Sequence, residues 1–118
     1  MSDEQGDTLE AFGHFREKLN TAILAADNLT IKRFFALDER AYQDGALPAR
    51  TKELLGLVAS LVLRCDDCIT YHLVRCREEG VSDAELFDAF SVALVVGGSI
   101  VIPHLRRAVA RLEGLPKA

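Results

Sequence analysis

Tryptophan is absent from this chain, and aromatic residues of all kinds make up only 7%. Base is outnumbered by acid, with 14 Lys and Arg against 18 Asp and Glu, a net charge of −4. That balance leaves no electrostatic footprint for a nucleic-acid backbone, and the shortage of aromatics leaves no platform for stacked bases. The three cysteines, Cys65, Cys68 and Cys76, are too few and too clustered for a secreted disulfide framework. The opening Met1-Ser2-Asp3-Glu4-Gln5-Gly6-Asp7 carries acid where an export signal carries base, and no apolar stretch follows it. Residues 1–7 therefore read as a flexible polar tail, and the expected location is cytoplasmic. With His104 neutral, the longest uncharged run is the 17 residues between Asp88 and Arg106, interrupted by Gly97-Gly98 and Pro103. A spanning helix wants about 20 mostly apolar residues, so the run reads as two buried helical pieces and no membrane partner is expected.

What is present is apolar and helical. Hydrophobic residues are 49% of the 118, enough for one packed core, so residues 8–118 read as a single domain. Strand-like alternation is missing. A helix from about Thr8 to Leu24 aligns Leu9, Phe12, Phe15, Leu19 and Ile23 along one stripe. A second starts near Asn28–Thr30, carries Ile31, Phe34, Phe35, Leu37 and Ala41, and is expected to end on Gly45 as a left-handed cap. Pro48 suits the first turn of a third, whose inner stripe is Leu54, Leu57, Val58 and Leu61. The fourth begins around Cys65–Cys68 and stops at Gly80, with Cys68, Ile69, His72, Leu73 and Cys76 facing inward. Ser82-Asp83-Ala84-Glu85 is a capping box that opens a fifth helix running to Gly97-Gly98. A sixth, from Ser99 or Pro103, reaches Glu113. The expected fold is all-α, a compact bundle of about six helices with short connections.

The chemistry concentrates between Glu53 and His72. In one straight helix Glu53 and Cys65 would lie about 18 Å apart and could not cooperate. An antiparallel helical hairpin turning at Leu63–Asp66 would instead bring Glu53 beside His72. Asp66-Asp67 favours a helix start there, because acid is stabilised at a helix N-terminus. Cys65 and Cys68 would then sit at that start, where the dipole favours a thiolate. Their spacing of three allows a disulfide across one turn, and Cys68 and His72, four apart, share a face. His72 can take a proton from Cys68, and Glu53 can hold the imidazole in one orientation.

Glu53 followed by Cys65-x-x-Cys68-x-x-x-His72 resembles the signature of AhpD-like proteins in the carboxymuconolactone decarboxylase family. Gly80-Val81-Ser82-Asp83-Ala84-Glu85 and the apolar run from Ala89 to Gly98 look like the same family, and the resemblance covers roughly Phe34 to Ala110. It implies an AhpD-like all-helical subunit that forms homo-oligomers, often trimers or hexamers. It also implies an enzyme, an alkyl hydroperoxidase or disulfide reductase acting on a peroxide or a small disulfide in an antioxidant role. Cys68 would attack and become a sulfenic acid, Cys65 would donate a proton and resolve it as a Cys65–Cys68 disulfide, and Glu53 with His72 would relay protons. An external dithiol, such as a lipoyl-bearing protein, would reduce the pair, with no cofactor or metal. AhpD carries a histidine immediately before the second cysteine, where this chain has Asp67. A carboxylate beside a thiol raises its pKa.

Other readings of the same residues stand beside this one. A decarboxylase or lactone-handling enzyme of the same fold is the alternative, although such decarboxylases do not depend on a cysteine pair. A non-enzymatic redox-responsive oligomer is another. Cys65, Cys68 and His72 could offer three zinc ligands, but a fourth at standard spacing is absent. Cys76 reads as a small core hydrophobe, two turns from Cys68. His14 and His104 read as structural, Arg64 and Arg75 as solvated cations, and Phe34-Phe35 as core or subunit interface.

Overall fold

Seven short runs of backbone take helical form in the computed structural model, which describes residues 8–117. They are α1 (Leu9–Ala25), α2 (Leu29–Ala41), α3 (Ala49–Leu63), α4 (Asp66–Glu78), α5 (Asp83–Gly97), a 3₁₀ turn (Ser99–Val101) and α6 (Ile102–Glu113). Among the described residues there is no strand, so the all-α architecture of six helices is established. The tail expected over residues 1–7 lies outside the described residues.

The chain forms two compact units that divide between Ala41 and Tyr42. The first holds α1 and α2. Thr8 caps α1 by accepting the Ala11 N–H at 3.0 Å, and Asn28 does the same for Ile31 ahead of α2. Neither helix contains a buried residue, and Phe15 and Phe34 are each 66% exposed. The apolar stripes are therefore present as periodicity without being core in the single chain.

The second unit carries the core. Leu57 and Leu61 of α3, Ile69, Leu73 and Cys76 of α4, and Leu86, Phe90 and Ala93 of α5 are buried together, joined by Ala108 and Leu112 of α6. Cys76 takes the role of a core hydrophobe, and burial pushes its thiol up to about 12. The capping box is formed: Ser82 Oγ accepts the Glu85 N–H at 3.2 Å, and Glu85 Oε1 accepts the Ser82 N–H at 2.9 Å.

Two turns place the site. Helix α3 reverses into α4 through Arg64, which adopts the left-handed region at φ 61°. The Arg64 N–H donates to Leu61 and the Cys65 N–H to Ser60, both at 3.0 Å, which satisfies the last carbonyls of α3. The expected antiparallel hairpin at residues 63–66 is thus present. At the far end of α4, Gly80 (φ 81°) makes the same turn, its N–H reaching Arg77 and that of Val81 reaching Cys76.

Two local expectations need correction. Gly45 is not a left-handed cap: α2 stops earlier, at Ala41, and left-handed glycines among the described residues are Gly80 and Gly98. A side-chain-locked turn replaces the cap, with the Asp44 carboxylate accepting the Ala49 N–H at 2.7 Å. Pro48 precedes the first turn of α3 and stands as its extended N-cap. His104 has a structural role, as expected: Nδ1 lies 2.8 Å from Asp66, whose other oxygen is 3.3 Å from Arg107, so α6 is tied to the start of α4.

Candidate functional site

Helix α3 supplies Glu53 and α4 supplies His72, and the hairpin sets them side by side, with His72 Nδ1 2.8 Å from Glu53 Oε1. Glu53 is 1% exposed and His72 is also buried. A buried carboxylate needs compensation. Its second oxygen finds it in Arg75, whose Nε is 3.6 Å away and which also pairs with Glu78. Because an ionised carboxylate only accepts, this geometry assigns the proton of the neutral ring to Nδ1 and leaves Nε2 as an acceptor. The hydroxyl of Tyr42 stands 3.5 Å from that Nε2, and the two rings lie 5.2 Å apart, tilted by 42°.

The floor beneath the imidazole is Gly56, one turn after Glu53. A Cβ there would lie 2.6 to 2.9 Å from three atoms of the His72 ring. Such distances are well inside ordinary contact, so the bare backbone of Gly56 lets the ring lie against α3. Ser60 next along α3 donates its hydroxyl to the Gly56 carbonyl at 2.7 Å.

The cysteines occupy the start of α4. Cys65 is its N-cap residue, and its sulfur accepts the Cys68 N–H at 3.3 Å. Cys68 was expected on the inner stripe but is exposed, as are Asp66 and Asp67 before it, and burial in α4 begins only at Ile69. Its thiol is nevertheless pushed up to about 11. Partial desolvation of the sulfur is the largest cause, followed by the hydrogen bond and charge of Cys65 and then the charge of Asp67. The helix amides pull the other way and do not prevail. The Asp66 carboxylate is engaged by His104 and Arg107.

The four residues singled out from sequence therefore form two linked pairs, Glu53 with His72 and Cys65 with Cys68. Among the described residues no hydrogen bond joins His72 to either thiol, and the two pairs are separated by one turn of α4. No cluster of three or more His, Cys, Asp or Glu suited to a metal ion occurs among the described residues. Three further residues belong to the site. Arg75, three after His72, shares its face of α4, and Gly56, three after Glu53, shares its face of α3, so helical spacing marked both. Tyr42 lies 30 positions before His72, and no local pattern connects them.

The comparison with known proteins follows the same hairpin. A family model described as the carboxymuconolactone decarboxylase family matches residues 28–111. The chain belongs to the carboxymuconolactone decarboxylase family. Two crystal structures of a Thermotoga maritima protein are similar to this family member, with 63% and 62% identity and TM-scores of 0.84 and 0.83. Each comparison covers 86% of this chain, and 90% and 86% of the other. One of those structures is described as a carboxymuconolactone decarboxylase family protein suggested to take part in an antioxidative response. An uncharacterized protein of the cox locus of Paracoccus denitrificans is 32% identical over 85 residues, which is 72% of this chain and 77% of that protein. A family protein from Legionella pneumophila, at 24% identity and a TM-score of 0.75, covering 86% of this chain and 94% of its own, shares the fold. Membership of an enzyme family is thereby established. Among the described residues no helix is long and apolar enough to cross a membrane.

Proposed function

We propose that this family member is a thiol-dependent antioxidant oxidoreductase that reduces peroxides or small disulfides through Cys65 and Cys68. The observation that carries the reading is the buried Glu53–His72 pair, 2.8 Å apart, set one turn from a Cys-x-x-Cys at a helix N-terminus. A thiol with a pKa of about 11 is ionised in only about one molecule in ten thousand at neutral pH. Its chemistry therefore needs a base, and an imidazole oriented by a buried carboxylate is one. The antioxidative part suggested for the Thermotoga protein agrees with the reading.

In the proposed cycle the Cys68 thiol loses its proton to the Glu53–His72 pair, and the sulfur attacks the peroxide. The S–O bond forms and the O–O bond breaks. The alkoxide leaves as alcohol once Cys65 gives it a proton, and Cys68 is left as a sulfenic acid. Cys65 sulfur, now a thiolate, then attacks Cys68 sulfur, the disulfide forms, and the leaving hydroxide takes back the proton held by the Glu53–His72 pair and departs as water. An external dithiol, of the kind carried by a lipoyl-bearing protein, returns the pair to thiols by exchange. No bound cofactor or metal enters the cycle. A reducing compartment such as the cytoplasm suits it, and so does a homo-oligomer, a trimer or hexamer.

The test is peroxide consumption with dihydrolipoamide as reductant. Wild type should turn over, and Cys68→Ser should not. A wild-type rate no greater than that of the dithiol alone sinks the proposal. A second reading, a carboxymuconolactone decarboxylase-type enzyme, has direct support in the family that the comparisons name. Its mark would be release of carbon dioxide from carboxymuconolactone that survives replacement of both Cys65 and Cys68 by serine. A non-enzymatic redox-responsive oligomer would oxidise once and fail to cycle.

A further inference from the structure

Glu53 accounts for only one nitrogen of the His72 ring. Tyr42 stands at the other, with its hydroxyl 3.5 Å from Nε2. The separation is at the long end of hydrogen-bond range, yet the ring contact at 5.2 Å shows that the two side chains pack on each other rather than merely pass. The segment behind Tyr42 is clamped to the start of α3. Lys52 Nζ donates to the Gln43 carbonyl at 2.8 Å, and the Asp44 carboxylate accepts the Ala49 N–H at 2.7 Å. A loop held at two consecutive residues places the one before them with little freedom.

We propose that Tyr42 is a positioning residue of the proton relay, holding Nε2 of His72 as Glu53 holds Nδ1. The inference rests on the thiol-oxidoreductase reading for its consequence in turnover, though not for the geometry. In the resting site the Tyr42 O–H donates to the Nε2 lone pair and keeps the imidazole in the tautomer protonated on Nδ1. When the thiol gives up its proton, the Tyr42 hydroxyl turns off the Nε2 lone pair, the S–H bond breaks and an N–H bond forms at Nε2. The hydroxyl oxygen then accepts that N–H, so its own proton count is unchanged. One side chain thus serves both protonation states of the base, which a phenylalanine cannot do.

Nitrogen-15 NMR of His72 in the reduced full-length protein reads the geometry directly. Wild type should show a protonated Nδ1 and a hydrogen-bonded, unprotonated Nε2. Tyr42→Phe should shift the Nε2 resonance toward that of an unbonded ring nitrogen and mix the tautomers. In the peroxide assay kcat should fall about tenfold with KM unchanged, the low end of the size expected for loss of an orienting partner. 3-Fluorotyrosine at position 42 keeps the hydroxyl and should restore both readouts. Lys52→Met, which releases the loop without touching the ring, should move the Nε2 resonance the same way by a smaller amount. An Nε2 resonance that stays in place in Tyr42→Phe overturns the proposal. So does a fall in kcat that fluorotyrosine fails to rescue. A wild type with no turnover sinks the thiol reading, and the Nε2 resonance then still decides the role of Tyr42.

Discussion

Gly56→Ala separates the geometry of the site from the stability of the fold. The added Cβ would stand 2.6, 2.8 and 2.9 Å from three ring atoms of His72. Carbon contacts settle near 3.5–4.0 Å, so the ring must withdraw from α3 by ~1 Å. Glu53 is on the same helix, so a hydrogen bond of 2.8 Å lengthens past the useful limit as the ring retreats. Losing a bond to a charged group costs about 1.5–3 kcal/mol, a range that overlaps the general cost of overpacking a tight site, about 1–3 kcal/mol. Against this, alanine inside a helix is better than glycine by about 1 kcal/mol. The net expectation is a destabilisation of about 0.5–2 kcal/mol. Thermal unfolding at fixed protein concentration should show Tm lowered by roughly 4–8 °C per kcal/mol, as for a domain of this size class. Gly13→Ala is the control, since nothing lies within 4 Å of its Cβ position in α1, and it should raise Tm. The His72 ring resonances should lose the signature of the Glu53 bond in Gly56→Ala alone. If Gly56→Ala raises Tm as Gly13→Ala does and leaves those resonances in place, the ring does not rest on Gly56 and the packing argument is wrong.

Three other outcomes follow from the same contacts. The alkylation rate of Cys68 should climb with pH toward a midpoint of about 11; Asp67→Asn and Asp67→His should move that midpoint down by removing a negative neighbour, whereas Asp66→Asn should leave it in place, its charge being engaged by His104 and Arg107. A midpoint indifferent to Asp67 would count against the placement of the first turn of α4. The Glu85 carboxyl, held down to about 2 by Arg50 and by Ser82, should titrate there by carbon-13 NMR and rise toward its ordinary 4.5 in Arg50→Gln. Because its pKa is depressed in the fold, the stability it contributes is present above 4.5 and is lost as pH falls from there toward 2. Light scattering should give a particle larger than one chain, since Phe15, Phe34 and Val95 are 66%, 66% and 86% exposed in the single chain, and Phe34→Asp should make it smaller. A clean monomer at micromolar concentration would contradict this.

Periodicity and caps carried most of the local structure. The capping box at Ser82–Glu85, the break at Gly97-Gly98 and the hairpin reversal before Asp66 are each set by side chains within a few positions of one another, so they are legible in the chain alone. The pairing of Glu53 with His72 was legible for a related reason: two helices of known rise that meet at a turn have a fixed register. Gly45 was misread because left-handed glycines and glycines in side-chain-locked turns look alike in sequence. Here Asp44 reaches Ala49 and ends the matter without a positive φ. The exposure of α1 and α2 was hidden too, since an apolar stripe states what a helix can bury and not what lies against it.

The sequence by itself determined that the chain is helical, where its helices start, and that acid, imidazole and two thiols crowd one hairpin. Only the tertiary structure decided which atoms meet. Helical spacing makes Cys68 and His72 neighbours, yet the imidazole points its nitrogens at Glu53 and at Tyr42, and the Cys65 sulfur takes the backbone N–H of Cys68. Tyr42 lies on a loop whose position depends on Lys52 and Ala49 of α3, contacts that no local pattern encodes. Asp66 and Asp67, adjacent and alike in sequence, are told apart because α6 brings His104 and Arg107 to one of them and not to the other. The physical reason is range: backbone propensity, capping and the helix dipole act within a turn or two, whereas the partner of a charge or a ring nitrogen is chosen by packing between distant segments.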